Sequence, residues 1–340
     1  MEPTGRYARQ ERLAQIGPEG QAALGRATAA VVGLGALGST AADLLARAGV
    51  GRLLLFDRDV VELHNLQRQS LYDEEDARRG RPKADAARAR LERVNSSIRI
   101  EARALDLCAE NAEAELAGAE LYLDGTDNFA TRYLLNDLAV LRGRPYVYAG
   151  VVGTYGLSGA VLPGGPCLRC TWPEPPPPSE TPTCRSAGVL GPAVAATAAL
   201  AAGEALKILS GHMEAVFPGF RYLDLWTGEH RALRARRDPD CPCCARGEHP
   251  WLEGRRGARR AEPLCGGDAV QLPAAGPPPD LEALARRLEG TVGELERQPG
   301  WLRFREGGLE LLLFADGRAL VRGTEDPGRA RALRDRTVGA

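Results

Sequence analysis

The sequence predicts an α/β fold: a mainly parallel sheet with an antiparallel extension and a structural zinc site, followed by a small C-terminal α/β module. Three observations lead to this fold class. Up to about residue 151, short apolar runs alternate with helical patterns, which is typical of parallel sheets. Two later strand-like runs, 154–161 and 221–226, lack this alternation and predict the antiparallel extension. Two Cys-x-x-Cys pairs lie far apart in the chain, and their spacing is typical of a metal site.

The first segment alternates strands and helices. Strands are predicted at the apolar runs 27–32, 52–56, 98–104, 120–124 and 145–151, and helices at 37–48, 81–94, 109–117 and 129–141. Gly49 follows the first of these helices and closes it. Pro82 lies in the first turn of the second helix, where a backbone N–H has no partner within the helix. This alternation builds βαβ units, so we expect the carboxyl ends of the strands to meet at one edge of the sheet.

Residues 1–245 are predicted to form one domain, and residues 280–340 a small module of their own. Between them, residues 246–279 are rich in Gly, Pro and Arg, a composition typical of a linker. The module is predicted to contain a helix at 280–288, strands at 291–298, 301–305, 309–315 and 319–322, and a closing helix after Asp326. Asp316-Gly317 predicts a tight hairpin turn. The module contains neither Cys nor His, so we expect no metal or nucleophile chemistry in it.

Charge and hydropathy argue against several classes of protein. The 44 Lys and Arg residues balance 45 Asp and Glu residues, and the net charge of −1 argues against binding nucleic acid or anionic lipid by bulk charge. Residues 186–203 are uncharged but mostly Ala and Gly with Pro192 inside, so they predict a buried or interface helix and no membrane span. Because the first 25 residues are charged and lack an apolar block, we expect no secretory signal and a cytoplasmic protein.

A glycine-rich turn follows the first strand. Gly33-Leu-Gly-Ala-Leu-Gly38 opens a helix, and Asp57 stands 19 residues after Gly38 at the end of the next strand. Glycines let the backbone approach a phosphate, the helix N-terminus supplies N–H groups, and a carboxylate accepts hydrogen bonds from a ribose. This pattern predicts a Rossmann-like nucleotide site. Taken alone, it favours an NAD(P)- or FAD-dependent oxidoreductase, with a turn that binds no ligand as the other alternative.

The residues after Asp57 argue against an oxidoreductase. The segment 59–69 is polar and basic, and its Arg68 together with Lys83 brings two cations close to the phosphates. A dinucleotide needs little more than the glycine turn, whereas a triphosphate and a departing pyrophosphate need added positive charge. Asp127 follows the fourth strand and is placed to bind Mg²⁺, which takes oxygen ligands. Each of these charges alone could be a solvated surface group, but their joint placement favours a triphosphate.

Eight motifs occur in a single order along the chain. They are Arg6-Tyr-Ala-Arg-Gln10, Gly33-Leu-Gly-Ala-Leu-Gly38, Asn65-Leu-Gln-Arg-Gln69, Arg81-Pro-Lys83, Gly125-Thr-Asp-Asn128, Cys167-x-x-Cys170, Cys184-Arg-Ser-Ala-Gly188 and Cys241-Pro-Cys-Cys244. Together they resemble the MoeB/ThiF family of sulfur-carrier-protein adenylyltransferases, which are related to the ubiquitin-activating enzymes. The resemblance covers residues 6–244.

The resemblance implies an activity and its partners. It implies ATP-dependent adenylation of the C-terminal glycine of a small ubiquitin-like sulfur carrier with a Gly-Gly tail, for molybdopterin or thiamine biosynthesis or for tRNA thiolation. It also implies a homodimer, and a sulfur donor such as a cysteine desulfurase is a further possible partner. Because the carrier's carboxylate is already ionised at pH 7, we expect no general-base histidine.

The resemblance also assigns residues. The implied nucleotide site contains Gly33, Gly35 and Gly38, with Asp57 on the ribose, Asn65, Arg68 and Lys83 on the phosphates, and Asp127 on Mg²⁺. Asp59 and Gln69 belong to the same polar segment and are predicted to line the site. Arg9 is expected to reach the ATP of the partner subunit. We therefore count Arg9, Arg68, Lys83 and Asp127 as the candidate catalytic residues of adenylation.

The cysteines lead to two further predictions, a zinc site and a reactive thiol. Cys167, Cys170, Cys241 and Cys244 form two Cys-x-x-Cys pairs and predict a closed tetrahedral Zn²⁺ site, although Cys243 leaves the second pair ambiguous.

Cys184 follows a proline-rich stretch and precedes Arg185, whose charge favours the thiolate. In the resembled family this position is implicated in thiol or acyl chemistry with the carrier, so we add it to the candidate catalytic residues, with a bystander as the alternative. Cys108 and Cys265 belong to no pattern.

Overall fold

The computed structural model describes residues 5–176, 187–257, 262–263, 269–298 and 300–339. The chain divides into two compact units, Met1–Gly257 and Ala258–Ala340. Cys184 and Cys265 lie outside the described residues, so the thiol role of Cys184 stays a prediction.

The first unit is built around an eight-stranded sheet. Its strands are β1 Thr28–Val32, β2 Arg52–Phe56, β3 Arg99–Arg103, β4 Leu121–Asp124, β5 Tyr146–Val152, β6 Tyr155–Val161, β7 Gly219–Asp224 and β8 Glu229–Arg234. Their order across the sheet is β3-β2-β1-β4-β5-β6-β7-β8. The pairs from β3 to β5 are parallel and those from β5 to β8 antiparallel. The predicted mixed α/β fold with a parallel-dominated sheet is therefore confirmed.

Nine described α-helices accompany this sheet. They are α1 Ala8–Glu11, α2 Gly17–Arg26, α3 Ala36–Ala48, α4 Glu74–Arg79, α5 Lys83–Val94, α6 Ala112–Leu116, α7 Phe129–Arg142, α8 Leu168–Thr171 and α9 Gly191–Leu209. Gly49 ends α3 in the left-handed conformation, with φ of 84°, as the sequence predicts. Neither α2 nor β8 was anticipated from the sequence.

Two apolar clusters lie on opposite faces of the sheet. Successive residues of β1 alternate between them, because a strand points its side chains to both faces in turn. Ala29 and Val31 join the cluster that includes α3, α5 and α9, whereas Ala30 and Val32 join the cluster that includes α6 and α7. Burial on both faces explains why the parallel strands read as continuous apolar runs.

Helix α9 begins within the stretch 186–203, in which the sequence predicts a buried helix, and continues to Leu209. It is long and apolar enough to cross a membrane, and 56% of its apolar window is buried inside the unit. Its small residues, among them Ala198 and Ala201, pack against α3 and β6. The helix is therefore part of the core.

The second unit contains a six-stranded antiparallel sheet. Its elements are β9 Glu262–Pro263, β10 Ala269–Leu272, α10 Leu281–Leu288, β11 Gly293–Gln298, β12 Trp301–Glu306, β13 Leu309–Phe314, β14 Ala319–Arg322 and α11 Pro327–Thr337, and the strand order is β11-β12-β13-β14-β10-β9. Leu284 and Leu333 pack against Phe304 and Leu313 of the sheet. The predicted hairpin turn is present, with Gly317 at φ of 85°.

The predicted linker, 246–279, contains the division between the two units, but two of its described parts are packed into the units themselves. Its first part packs on the first unit, where the Trp251 ring lies 5.2 Å from that of Tyr133. Its β10 segment pairs with β14 and is buried. The stretch was predicted as a linker from its average composition, which does not reveal the few apolar residues that pack into a core. These include Trp251, Val270 and Leu272.

Candidate nucleotide site and cysteine cluster

The glycine turn joins β1 to α3 and is packed tightly against the loop after β4. Gly33 adopts φ of 83°, and its N–H donates to the Phe56 carbonyl at 2.8 Å. A Cβ atom on Gly38 would lie 1.7 Å from the Gly33 carbonyl oxygen, and one on Gly125 would lie 2.3 Å from the same atom. Gly38 and Gly125 are thus required for packing between chain segments.

Gly35 differs from its neighbours in the turn. A Cβ atom there would meet nothing closer than Nε2 of Gln69, at 3.9 Å. Gly35 is also the N-cap of α3, and no side chain of the described residues caps this helix end. The first N–H groups of α3 therefore face a region that a phosphate can approach.

Asp57 ties the turn to the end of β2. Its Oδ2 accepts a hydrogen bond from the Leu34 N–H at 2.6 Å, and its Oδ1 accepts one from the Asp59 N–H at 2.7 Å. Burial raises the pKa of Asp57, while the nearby Lys83 ammonium lowers it. Each carboxylate oxygen has a further lone pair, so Asp57 can hold the turn and still accept from a ligand hydroxyl.

Lys83 is a buried cation held at this edge of the sheet. Its Nζ lies 3.3 Å from Oδ2 of Asp59, and its N–H donates to the Asp59 carbonyl at 2.9 Å. Burial alone would lower the pKa of Lys83, but the carboxylates of Asp59, Asp57 and Asp127 raise it above its ordinary value. The ammonium is therefore charged at neutral pH.

A short 3₁₀ helix, Leu63–Asn65, begins the polar segment that follows β2. Asn65 is buried, and its Oδ1 accepts from the Glu62 N–H at 3.0 Å. The Arg68 guanidinium is half-exposed and donates to the His64 carbonyl at 2.9 Å. Gln69 is 4% exposed, and its Oε1 has no hydrogen-bond partner among the described residues. A buried orphan acceptor beside Gly35 suits a ligand that donates a hydrogen bond.

Asp127 lies in the loop Gly125–Asn128 between β4 and α7. The Asp127 carboxylate is exposed and contributes to the electrostatic field at Lys83. Because β2, β1 and β4 are neighbours in the sheet, the residues that follow them meet at one edge. The structure therefore brings together the glycine turn, Asp57, Asp59, Lys83 and Asp127.

Arg9 lies far from the glycine turn of its own chain. It belongs to α1, whose Gln10 donates to the Ala48 carbonyl at the C-terminal end of α3. The glycine turn is at the N-terminal end of α3, about 18 Å away for a helix of this length. The exposed Arg9 side chain cannot span that distance.

Sequence reasoning missed a buried ion pair beneath the Asp127 loop. Asp124 is fully buried and accepts hydrogen bonds from the Thr126 N–H and hydroxyl and from the Tyr146 hydroxyl, at 2.7–2.8 Å. Arg132 places its Nε 3.6 Å from Oδ2 of Asp124 and donates from Nη2 to the Thr126 carbonyl. Burial alone would lower the pKa of Arg132, but Tyr148 and Asp124 raise it. This pair orients the loop that carries Asp127.

An apolar cavity of about 170 Å³ adjoins Arg132. Its lining residues are mostly aromatic: Phe129, Tyr133, Tyr148, Leu168, Trp172 and Pro176. The Arg132 guanidinium stacks 5.0 Å from the ring centre of Tyr148 and 5.3 Å from that of Phe129. The aromatic rings thus hold the arginine in place. Because the lining residues are irregularly spaced along the chain, no motif in the sequence indicates this cluster.

The four predicted zinc ligands converge. Sγ–Sγ distances are 3.5 Å for Cys167–Cys241, 3.4 Å for Cys170–Cys244 and 4.0 Å for Cys167–Cys170. Ligands about 2.3 Å from a tetrahedral ion lie about 3.8 Å apart, so the cluster fits Zn²⁺. A hydrogen bond with Cys243 and burial raise the pKa of Cys167, and burial raises that of Cys170. A bound cation would counter these shifts.

Cys243 is not part of this foursome. Its Sγ touches Cys167 but also lies near Asp137 and His249, which come from α7 and from the segment that the sequence predicts as linker. Spacing correctly selects Cys241 and Cys244 for the cluster. Cys108 is half-buried, and its N–H donates to Oδ1 of Asn111.

Comparison with known proteins identifies relatives over this whole region. A model of the ThiF family matches residues 7–243. The Bacillus subtilis protein named sulfur carrier protein ThiS adenylyltransferase is 41% identical over 340 residues, which covers 99% of this chain and 100% of the relative. The Thermus thermophilus sulfur carrier protein adenylyltransferase is 44% identical over 254 residues, or 72% of this chain and 91% of the relative. These names do not support the oxidoreductase alternative.

A solved structure supports the fold. The crystal structure of E. coli MccB with ATP has a TM-score of 0.60 and 22% identity, and covers 71% of this chain and 74% of that one. At this identity the likeness concerns the fold alone.

Proposed function

Because this chain belongs to the ThiF family, we propose that it adenylates the C-terminal carboxylate of a ubiquitin-like sulfur carrier with ATP. The observation that carries the proposal is the buried ammonium of Lys83, fixed by Asp59 beside the glycine turn. A dinucleotide would leave this cation without a phosphate to meet, whereas a triphosphate supplies one.

The reaction needs charge compensation more than proton transfer. A carboxylate oxygen of the carrier attacks the α-phosphorus of ATP, the bond to the bridging oxygen breaks, and pyrophosphate leaves with the electron pair. The nucleophile is already ionised, so no residue has to remove a proton from it. The barrier comes from repulsion between anions and from alignment, which positioned cations and N–H groups lower.

The described residues match these needs. We assign the α-phosphate to the N-terminus of α3 at Gly35, and the outer phosphates to Lys83, Arg68 and Asn65. Asp57 would accept from the ribose while it holds the Leu34 N–H. Gln69 would use its free Oε1 for a donor group of the nucleotide.

Asp127 suits Mg²⁺, because its exposed carboxylate follows a strand end at the same edge of the sheet as Lys83. When bound, Mg²⁺ would neutralise charge on the phosphates. The ion pair between Asp124 and Arg132, which contacts the Asp127 loop at Thr126, would hold this loop in position.

We propose a homodimer in which Arg9 completes the site of the partner subunit. The position of α1 at the far end of α3 supports this arrangement, because Arg9 cannot reach the glycine turn of its own chain. Oligomers of this kind are usually symmetric, so each site would receive one Arg9 from its neighbour.

We also propose that the four-cysteine cluster binds one structural Zn²⁺. Four thiolate ligands close the coordination sphere and leave no position for catalysis. Cys184 follows the described residue Pro176 by a short stretch of chain. We propose that its thiolate attacks the acyl carbon of the carrier acyl-adenylate, so that a thioester forms and AMP leaves. Sulfur would then come from a separate donor in the cytoplasm.

A ThiS-like carrier is the favoured substrate. The Bacillus subtilis ThiS adenylyltransferase matches the chain through its second unit, whereas the match to the Thermus thermophilus protein covers 72% of the chain. We therefore propose that the second unit serves the same carrier system.

The lysine content of the chain permits a sharp test. Only two of the 44 basic residues are lysines: Lys83, whose side chain is 8% exposed, and Lys207, whose side chain is 35% exposed. An acyl-phosphate derivative of ATP acylates lysines that lie beside its phosphates. Solvent accessibility alone would favour Lys207, whereas binding at the glycine turn would favour Lys83.

The expected result is acylation of Lys83, blocked by ATP and not by NAD⁺, as read by peptide mass spectrometry. Lys207→Arg is the matched control and should leave both labelling of Lys83 and carrier-dependent ATP–pyrophosphate exchange unchanged. Labelling of Lys207 alone, or protection by NAD⁺, would contradict the proposal.

A further inference from the structure

The geometry points to a second metal-binding site, in which Cys243, His249 and Asp137 bind Zn²⁺ beside the four-cysteine cluster. These residues come from the turn 241–244, from the segment after it, and from α7. Their ligand atoms all lie within 4.8 Å of one another. A thiolate, an imidazole and a carboxylate are the three ligand types that Zn²⁺ takes in proteins.

The distances between the three ligand atoms match three corners of a tetrahedral zinc site. Sγ of Cys243 lies 3.5 Å from Oδ1 of Asp137 and 3.7 Å from Nδ1 of His249. With Zn–S near 2.3 Å and Zn–N or Zn–O near 2.0–2.2 Å, two ligand atoms of a tetrahedral site lie about 3.5 Å apart. The cluster therefore has room for the ion without rearrangement of its side chains.

Neighbouring groups orient two of the three ligands. Oδ2 of Asp137 accepts the Trp251 N–H at 3.0 Å, which leaves Oδ1 turned towards Cys243. Asn136 donates from Nδ2 to the Cys243 sulfur at 3.4 Å, and its own Oδ1 accepts the Leu168 N–H. Such outer contacts fix the direction of metal ligands and stabilise a thiolate.

The burial of the Asp137 carboxylate favours a bound cation. Cys243 and Asp137 are fully buried and His249 is 8% exposed. A carboxylate inside a protein is costly unless a partner compensates its charge. A divalent cation would do so, and it would fasten the segment 249–252 to α7, whose N-terminal end follows the Asp127 loop.

The second site is separable from the first. Cys167, Cys170, Cys241 and Cys244 already provide four thiols at mutual distances that suit one ion, so Cys243 is not needed there. Cys243 lies against Cys167 of that cluster, so the two ions would be close neighbours.

The test is metal content of the full-length protein, saturated with Zn²⁺, desalted and measured by mass spectrometry of the metal. We expect two Zn²⁺ per chain in the wild type. His249→Gln should hold one, and so should Asp137→Asn, which keeps the shape of the carboxylate. His230→Gln, at an exposed histidine of β8, is the matched control and should hold two.

Cobalt substitution gives a second measurement that needs no variant. The first equivalent of Co²⁺ should enter the four-cysteine cluster and give strong sulfur-to-metal charge-transfer absorption. The second equivalent should add d–d absorption with much weaker charge transfer, because the second site offers one thiolate ligand. Two outcomes would overturn the inference. In the first, the wild type holds one Zn²⁺ and Cys170→Ser loses it. In the second, the wild type holds two Zn²⁺ and both His249→Gln and Asp137→Asn keep them. One Zn²⁺ that is lost in His249→Gln and retained in Cys170→Ser would uphold it and overturn the four-cysteine site instead.

Discussion

Two regions of the first unit compensate their buried polar groups in different ways. One is the candidate nucleotide edge, formed by the glycine turn, Asp57, Asp59, Lys83 and Asp127 with the Asp124–Arg132 pair beneath it, and the other is the four-cysteine cluster. At the nucleotide edge, the two buried cations have carboxylate partners within the chain: Lys83 has Asp59, and Arg132 has Asp124. In the cysteine cluster, thiols lie against thiols, and their neighbours raise the pKa of Cys167. The edge can therefore form before a ligand binds, whereas the cluster, in our proposal, depends on a cation supplied from outside.

The largest expected effect is loss of the four-cysteine metal. Cys170→Ser should release Zn²⁺ and reduce the free energy of unfolding by far more than the about 1 kcal/mol of an average substitution. Structural zinc contributes about 10–16 kcal/mol in small zinc-binding peptides, which is as large as the whole stability of a domain. Soluble yield and melting temperature measure the effect.

Cys108→Ser is the matched control, because Cys108 is half-buried and lies outside both the four-cysteine cluster and the group of Asp137, Cys243 and His249. It should leave the zinc content unchanged. If Cys170→Ser kept the wild-type melting temperature and metal content, the contrast between the two regions would be lost.

The next largest effect concerns the ion pair below the Asp127 loop. Arg132→Met removes the cation and leaves the fully buried Asp124 without it, which should cost about 3–5 kcal/mol of unfolding free energy. Asp124→Asn combined with Arg132→Met should recover much of that loss, because no uncompensated charge remains. Urea denaturation measures both. If the double variant were as unstable as the sum of the single ones, the charge pairing would not be the cause.

A third prediction tests whether the nucleotide edge is complete within one chain. Arg9→Ala and Arg68→Ala should each be nearly inactive in pyrophosphate exchange. After subunit exchange in an equal mixture, half of the dimers are mixed, and each has one intact site, so about a quarter of all sites should be active.

The measurement is exchange activity before and after mixing, with subunit exchange followed by native mass spectrometry. Recovery to that level would confirm Arg9 acting across the dimer. Mixed dimers without activity would mean that Arg9 and Arg68 of one chain serve the same site, and would contradict the trans arrangement.

The smallest expected effect is that of Cys184→Ala on adenylation. The proposed adenylation site contains no thiol, so pyrophosphate exchange should stay within a few-fold of the wild type. The covalent adduct between enzyme and carrier should disappear, as read by intact mass after incubation with carrier and ATP. An adduct that persists in Cys184→Ala would assign this chemistry to another cysteine, and its absence from the wild type would leave Cys184 a bystander.

Much of this molecule could be predicted from local patterns. Apolar runs predicted every described strand except β8, β9 and β10 to within a few residues. Gly33-Leu-Gly-Ala-Leu-Gly38 with Asp57 predicted where the candidate nucleotide edge lies. The cysteine spacing selected Cys167, Cys170, Cys241 and Cys244, which do converge. These features depend on periodicity, on turn chemistry or on short spacings, all of which are properties of neighbouring residues.

Only the tertiary structure decided the rest. Arg132 approaches Asp124 and Tyr148 through three separate elements, and Asp137 meets Cys243 and His249 from more than a hundred positions away in the sequence. The sequence also did not predict that α1 lies at the far end of α3. Nor did it predict that Trp251 and Val270 of the predicted linker pack into a core. Such contacts depend on how the sheet and helices pack together, and packing brings distant residues together without leaving a local pattern at either one.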